Sequence, residues 1–391
     1  MPKIITNIFV IIFFASIVFY IGQGILFEST WYTKLAGFYF LLFNAFCTIL
    51  VIAKKRITPL FLFILFLTIW VLLLWIISEK KYRVSLEDVS TFSMIQHIIL
   101  VITSLISFFY ISSKGYIKRS VLVIFVCITT ALFVYNILHF DVTTLGEGEY
   151  NFSSANNKAY SLTALFPFFL IFWNRKWLMI IFMIASLVFV VFCLKRGAMI
   201  CIASSVMITF YMIIKQNKRR HKYVLMSRLL IFAVIIAAIY AFSSIYSENE
   251  VLQGRFDHGS KPREEIYGKI ATGLKESNLV NLFAGNGPLS TVKVAGNYAH
   301  NDWLEILYDF GLVGLFVYIM IIVSMLILYR KLNLNERDKT GMLICITYIL
   351  IRSTVSMCVY ELETLLIFGY YGYIIGNYKF SNRRGIYYEK D

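Results

Sequence analysis

Charge is scarce in this sequence. Asp, Glu, Lys and Arg make up 15% of its 391 residues, against 59% hydrophobic residues, and mean hydropathy is +0.73. A soluble domain of this length needs a polar surface that so few charges cannot supply. Also missing is a GxxxxGK[ST] phosphate loop, which argues against nucleotide hydrolysis by this chain. There is no Asp-x-Asp pair and no His/Cys cluster with the spacing of a divalent-metal site. No CxxC pair occurs. The six cysteines, Cys47, Cys127, Cys193, Cys201, Cys345 and Cys358, lie in or beside apolar runs and read as small buried apolar residues. We find no internal repeat and no low-complexity linker. The first apolar run lacks a small-residue cleavage site, so it reads as a span rather than a signal peptide.

What is abundant is apolar sequence in runs of about twenty residues, the length that crosses a hydrocarbon core about 30 Å thick. Spans are predicted at about 5–26, 33–53, 57–77, 92–112, 120–140, 158–173, 178–194, 197–214, 229–247, 303–328, 341–360 and 362–378. The expected fold is therefore an all-α polytopic membrane protein, 1–391 forming a single transmembrane domain of about 12 helices.

The net charge of +15 sits in short connections, which is a topological pattern rather than a nucleic-acid footprint. Basic residues recur at Lys54-Lys55-Arg56, Lys114 with Lys118-Arg119, Arg175-Lys176, Lys215 with Lys218-Arg219-Arg220, and Arg330-Lys331 with Arg337 and Lys339. Lys379, Arg383 and Arg384 follow in the tail. With twelve spans all fall on one side, together with both termini, and the positive-inside rule makes that side cytoplasmic. The segment with Lys80, Lys81 and Arg83 runs against the pattern, accompanied by Glu79, Glu87 and Asp88. The outer side then receives 141–157, the Lys195-Arg196 junction and the longest loop, 248–301. In that loop Ile266, Ile270 and Leu274 recur every four residues, which predicts an amphipathic helix over 263–280. Gly285-Asn286-Gly287-Pro288 predicts a turn.

The residues that would carry chemistry gather on that outer side. Asp302 with Glu305 resembles a capping box opening the tenth span, which sets His300 just before a helix N-terminus, where exposed N–H groups favour anions. His300 is then either a base beside an anionic substrate or a polar residue ordering the helix entry. Lys195-Arg196 separates two apolar runs almost without a loop. Charge at a helix centre costs about 2.5–3.5 kcal/mol on insertion scales. Either both side chains reach the interface, or they serve an outer site, which their position against the positive-inside bias favours. Arg352 falls mid-run in the eleventh span and is expected to face the bundle interior, paired with Glu361 or Glu363. Glu147 and Glu149 read as solvated loop charges, and Arg255 and Arg263 as exposed unless a site recruits them.

In order and spacing these residues resemble the O-antigen ligase and polymerase superfamily of bacterial cell envelopes, over about 180–320. His300-Asn301, Leu304, Gly311 and Gly314 are similar to its His-Asn…Leu…Gly…Gly signature. Arg196-Gly197-Ala198 is similar to its Arg-Gly-Ala, Gly259-Ser260 with Arg263 and Ile266 to its loop arginine and following helix, and Gly285-Asn286-Gly287 to its Gly-x-Gly turn. Tyr267 stands where members often carry Trp, and Lys195 replaces a small or polar residue. The resemblance implies a membrane glycosyltransferase of the bacterial inner membrane with its site facing the periplasm. It would transfer a glycan from undecaprenyl diphosphate to an acceptor hydroxyl without metal or other cofactor, inverting the anomeric centre. It casts His300 as base, Arg196 and Arg263 as diphosphate ligands, and Arg255, Arg352, Asn301 and Lys195 as substrate-binding residues. A lipid-linked repeat as acceptor makes the chain a polymerase, with a chain-length regulator as partner; lipid A–core makes it a ligase. Richness in Ile, Phe, Tyr, Lys and Asn, a bias of serotype-specific polysaccharide clusters, favours the polymerase. A transporter or lipid flippase is the competing class, but transporters place charges mid-membrane; here Arg352 is the main such charge, while most other unusual charges gather at the outer face.

Overall fold

The computed structural model describes residues 3–21, 31–54, 57–79, 91–138, 159–193, 195–219 and 261–383. Among them every regular element is helical. In chain order these are α1 (Lys3–Ile21), α2 (Trp31–Ala53), α3 (Pro59–Glu79), α4 (Thr91–Ser113), α5 (Arg119–Leu138), α6 (Ala159–Phe172), α7 (Lys176–Phe192) and α8 (Arg196–Arg219). They continue with α9 (Lys261–Glu276), α10 (Leu279–Ala284), α11 (Ser290–Ala295), α12 (Asp302–Lys331), α13 (Glu336–Val355), a 3₁₀ turn (Leu362–Thr364) and α14 (Leu365–Arg383). Each predicted span except 229–247, which lies outside the described residues, falls on one of these helices. Among the described residues, five helices are long and apolar enough to cross a membrane, by length and composition.

The surface supports that environment. Leu35, Phe38, Leu42, Phe46 and Ile49 form an outward stripe on α2, and Leu62, Phe66, Ile69, Leu73 and Ile76 one on α3, all exposed. Helical spacing puts each set on one face, and an apolar stripe of that length has no solvent but lipid. The opposite faces pack into one continuous core in which Phe13, Phe108, Phe125 and Phe168 make edge contacts. The short sixth segment gains reach by geometry. Its second half, Phe166–Phe172, is a 3₁₀ helix behind Pro167, so seven residues rise about 14 Å rather than about 10 Å.

The two ends of the bundle differ. At one, Lys54 donates to the Tyr110 hydroxyl at 3.4 Å, Arg119 donates to the Ile171 carbonyl at 3.0 Å, and Lys379 lies over the Phe109 ring. Residues from three of the predicted basic segments therefore lie at that end. At the other end α12 begins, α13 stops, and α9, α10 and α11 pack across them.

Two sequence expectations need correction here. The helix predicted over 263–280 ends at Glu276, and a second begins at Leu279 because Asn278 breaks the chain and caps the Asn281 N–H at 2.8 Å. The expected apolar face holds: Ile270 is buried with Ala295, Ala299 and Tyr308, and Ile266 and Leu274 pack beside it. The eleventh span stops at Val355, not 360. Arg352 thus lies in the last helical turn, at the same end as His300, rather than at mid-membrane. The chain leaves the helix there because the Asp302 carboxylate accepts the N–H groups of Cys358 and Val359, at 2.9 and 3.2 Å.

Candidate active site at one end of the bundle

Helix α12 is broken at its first third, and the break organises the site. Gly311 has φ 71° and ψ −174°, inside what is otherwise one helix. A Cβ there would run into the Phe283 carbonyl oxygen, and one on Gly285 into the Asp309 carbonyl. The two glycines therefore let α10 and the kink touch backbone to backbone. Each carbonyl freed by the break finds a donor. Tyr308 O accepts from the Asn286 N–H at 3.0 Å, Asp309 O from the Gly287 N–H at 2.9 Å, and Phe310 O from the Trp70 indole at 3.0 Å. Buried carbonyls require such partners, so the Gly-Asn-Gly turn and the kink form one unit.

Three buried carboxylates follow the kink back to the helix start. Asp309 accepts the N–H groups of Leu289 and Thr291 and the Thr291 hydroxyl, at 3.0, 2.9 and 2.8 Å. It thereby holds the entry to α11, where Leu289 has φ 63°. Glu305 accepts the Ala299 N–H at 3.0 Å. Asp302 accepts from Ser353 at 2.9 Å and Tyr318 at 3.3 Å besides Cys358 and Val359. The capping arrangement differs from the expected Asp302–Glu305 box. Asn301 is the cap, its side chain accepting from Leu304 N at 3.2 Å, and Glu305 reaches back to Ala299. Asp302 lies one residue too far into the helix to cap it and instead fastens the segment after α13.

His300 stands between these anchors. Its φ of 51° is left-handed, a region where His is one of the more frequent non-glycine residues. Asn301 then returns to extended backbone and donates to the Thr354 carbonyl at 3.3 Å, while the Trp303 indole donates to the Thr354 hydroxyl at 3.1 Å. Arg263, at the start of α9, donates to the adjacent Val355 carbonyl at 3.1 Å. Burial first, then the charges of Arg263 and Lys195, bring the His300 imidazole down from 6.5 to about 4. It is neutral at physiological pH, with a lone pair to accept a proton.

The remaining cations meet on Tyr160, a residue that nothing in the sequence singled out. Arg352, 1% exposed, stacks 4.1 Å from the Tyr160 ring centre, and the Lys195 ammonium lies 5.7 Å from it. Both distances suit cation–π attraction. Arg352 also donates to Glu363 at 2.7 Å, to Tyr348 at 2.6 Å and to Thr364 at 3.2 Å. Of its two expected partners, Glu363 is the one it binds. Arg196 opens α8 and is exposed, and Gly197 beside it has no room for a Cβ because the Tyr160 hydroxyl and Val355 lie there. The Arg-Gly-Ala segment, Tyr160, Val355 and Arg263 thus converge. Arg255, Gly259, Ser260, Glu147 and Glu149 lie outside the described residues, as do Lys80, Lys81 and Arg83.

The class is now defined: a many-helix membrane protein with a neutral histidine and several cations collected at one end of the bundle. Residues 181–319 match the model of the family described as O-Antigen ligase, so this stretch is similar to the O-antigen ligase and polymerase superfamily. Members of that family are glycosyltransferase-like ligases and polymerases. A comparison with curated proteins found no match.

Proposed function

We propose that this chain is a membrane glycosyltransferase of bacterial surface-polysaccharide biosynthesis. It moves a glycan from undecaprenyl diphosphate to a sugar hydroxyl at the outer face of the cytoplasmic membrane, as an O-antigen polymerase whose acceptor is a second lipid-linked repeat. The observation that carries the reading is His300, held left-handed before α12 with Arg263 and Lys195 near enough to lower its pKa. The basic residues at the opposite end of the bundle support the orientation.

The acceptor oxygen attacks the anomeric carbon from the side opposite the diphosphate. The C–O bond to the carrier breaks, its electrons leave on the lipid diphosphate, and the acceptor proton passes to His300. Configuration inverts. Negative charge grows on the leaving group, and Arg263 and Arg196 offer guanidinium forks matched to phosphate oxygens. Such fixed donors act where charge develops. An imidazole that titrates near pH 4 is a weak base, but a bound diphosphate offsets the cations that depress it. Substrate thus raises the basicity of His300 when it is needed. Reach to the hydroxyl, about 2.6–3.2 Å directly or through one water, decides whether it acts. Lys195, Asn301, Arg255 and Arg352 complete the proposed binding set, Arg352 from beneath through Tyr160.

The test is turnover per correctly inserted molecule with a defined lipid-diphosphate donor. His300→Ala loses transfer by about 10²–10⁴-fold, while donor binding survives. Near-wild-type turnover, or strict dependence on an added divalent cation, overturns the mechanism. Lipid A–core used as acceptor in preference to the lipid-linked repeat makes the chain a ligase instead.

A further inference from the structure

A concavity lies on the side of α9 away from Arg263. It is a broad depression open to solvent, about 810 Å³ in volume, with exposed residues along its α9 wall. Its walls are the Glu265, Gly268, Lys269, Thr272 and Glu276 face of α9 and the Asn278–Asn286 segment, with Tyr308 at its base. Arg263 projects from a different face of α9, since residues two apart on a helix point about 200° apart. The cleft is therefore separated from the cation cluster by about one helix diameter, roughly 10 Å.

Its chemistry differs from that of the site at His300. Glu265 and Glu276 outweigh Lys269, which is already paired with Glu265 at 2.7 Å, so the walls do not invite a diphosphate. What they hold is a mixed set of hydrogen-bonding groups. Asn278 commits its oxygen to the Asn281 N–H and keeps its NH₂ as donor. Asn286 commits its NH₂ to the Tyr308 carbonyl at 3.2 Å and keeps its oxygen as acceptor. Thr272 and Ser277 donate to the Gly268 and Gly273 carbonyls, at 3.0 and 2.8 Å, so their lone pairs accept. Asn281 adds an amide with both functions. At Gly268 a Cβ would meet nothing within 4 Å. Alternating donors and acceptors, little net charge and an open floor suit a ligand made of hydroxyl groups, each of which donates and accepts.

We propose that this cleft is a saccharide-binding subsite that holds residues of the glycan remote from the reacting bond. The inference rests on the glycosyltransferase reading. It adds that the glycan crosses α9 from the His300 side and is gripped on the far face, where binding energy away from the chemistry orients the reacting end.

The test uses full-length protein in nanodiscs. The probe is the host's own repeat oligosaccharide, freed of lipid and phosphate by mild acid and observed by saturation-transfer NMR. Gly268→Trp places a large ring in open space without removing a contact, and Asn281→Ala removes one amide. Wild type is expected to bind. Both variants should bind at least tenfold more weakly, and His300→Ala and Arg263→Ala about as well as wild type. Unchanged binding in Gly268→Trp overturns the cleft, as does binding lost in Arg263→Ala but kept in Gly268→Trp. Transfer activity is measured on the same wild-type sample. A wild type that transfers glycan but does not bind the probe sinks the cleft alone, whereas one that binds and never transfers sinks the enzymatic reading and leaves the cleft.

Discussion

Titration of His300 probes the geometry of the site most directly. An ordinary histidine takes up its proton near pH 6.5, and burial, Arg263 and Lys195 in that order bring His300 to about 4. At 1.36 kcal/mol per pH unit, the gap is worth up to about 3.4 kcal/mol in favour of the neutral ring. The sign follows from proton counting. Between pH 4 and 6.5 the unfolded chain binds this proton and the folded chain does not. The stabilisation is complete above pH 6.5 and is lost as pH falls toward 4. The chain has five histidines, few enough to follow by NMR of ¹³C-histidine-labelled protein, with His300→Gln identifying its resonance. The wild-type midpoint is expected near pH 4. Arg263→Ala and Lys195→Ala should each raise it, and the double variant most, though not to 6.5, because burial is the largest cause and remains. Undecaprenyl diphosphate should raise it too. A wild-type midpoint near 6.5, or no movement in either cation variant, refutes the arrangement. Movement in those variants but none with the lipid diphosphate refutes the proposed binding.

Four further outcomes are expected. Gly311→Ala meets both a left-handed φ, costing about 1–3 kcal/mol, and the Phe283 carbonyl; it should fail to accumulate, while Gly268→Ala, in open space, accumulates normally by immunoblot. Arg352→Met leaves Glu363 buried without its partner and should cost about 3–5 kcal/mol, read as a lower thermal midpoint in detergent, much of it recovered in Arg352→Met/Glu363→Leu. Arg196→Lys should recover little of the transfer lost in Arg196→Ala, because an ammonium lacks the bidentate fork; full activity in Arg196→Ala removes that residue from the site. Ser277→Cys in a cysteine-free background should react with an impermeant thiol reagent from outside intact cells; reaction only after lysis inverts the topology.

The helices were legible because hydropathy in a membrane protein reports the solvent directly. Runs predicted at 92–112 and 303–328 became Thr91–Ser113 and Asp302–Lys331. The His300-Asn301 and Gly285-Asn286-Gly287 segments were legible as candidates because polar and flexible residues at a span border have few other reasons to be there. What they touch was not. No local pattern says that Asp302 binds residues 358 and 359, since that pairing is tertiary. Tyr160 carried no signal at all, being one of 26 tyrosines within an apolar run. The capping-box reading of Asp302 and Glu305 leaves out a wider pattern that includes Asp309. Asp302, Glu305 and Asp309 stand at i, i+3 and i+7 in a helix otherwise apolar, and carboxylates aligned on one face of a span rarely lack partners.

That row of carboxylates ties three separate stretches of chain to the start of α12. Each holds a different piece of chain: Asp309 the entry to α11, Glu305 the residue before His300, Asp302 the exit of α13. Because all three project from one rigid helix, the pieces are held in register with one another, and His300 is positioned by the helix rather than by its own contacts. Shortening the helix between Asn301 and Gly311 by one residue would rotate one carboxylate set by about 100° relative to the other. Either the Gly285–Gly311 contact or the grip on Ala299 would then be lost. The arginines are held differently. Arg263 comes from α9, whose apolar face docks through Ile270 on Tyr308 and Ala299, so its distance to His300 depends on that docking. A polar substitution at Ile270 would therefore separate the two roles. His300 would keep its place ahead of α12, while the Arg263 charge withdrew with its helix and the imidazole midpoint rose. An Ile270→Asn variant with an unmoved His300 midpoint would show that α9 is fixed by something other than this face.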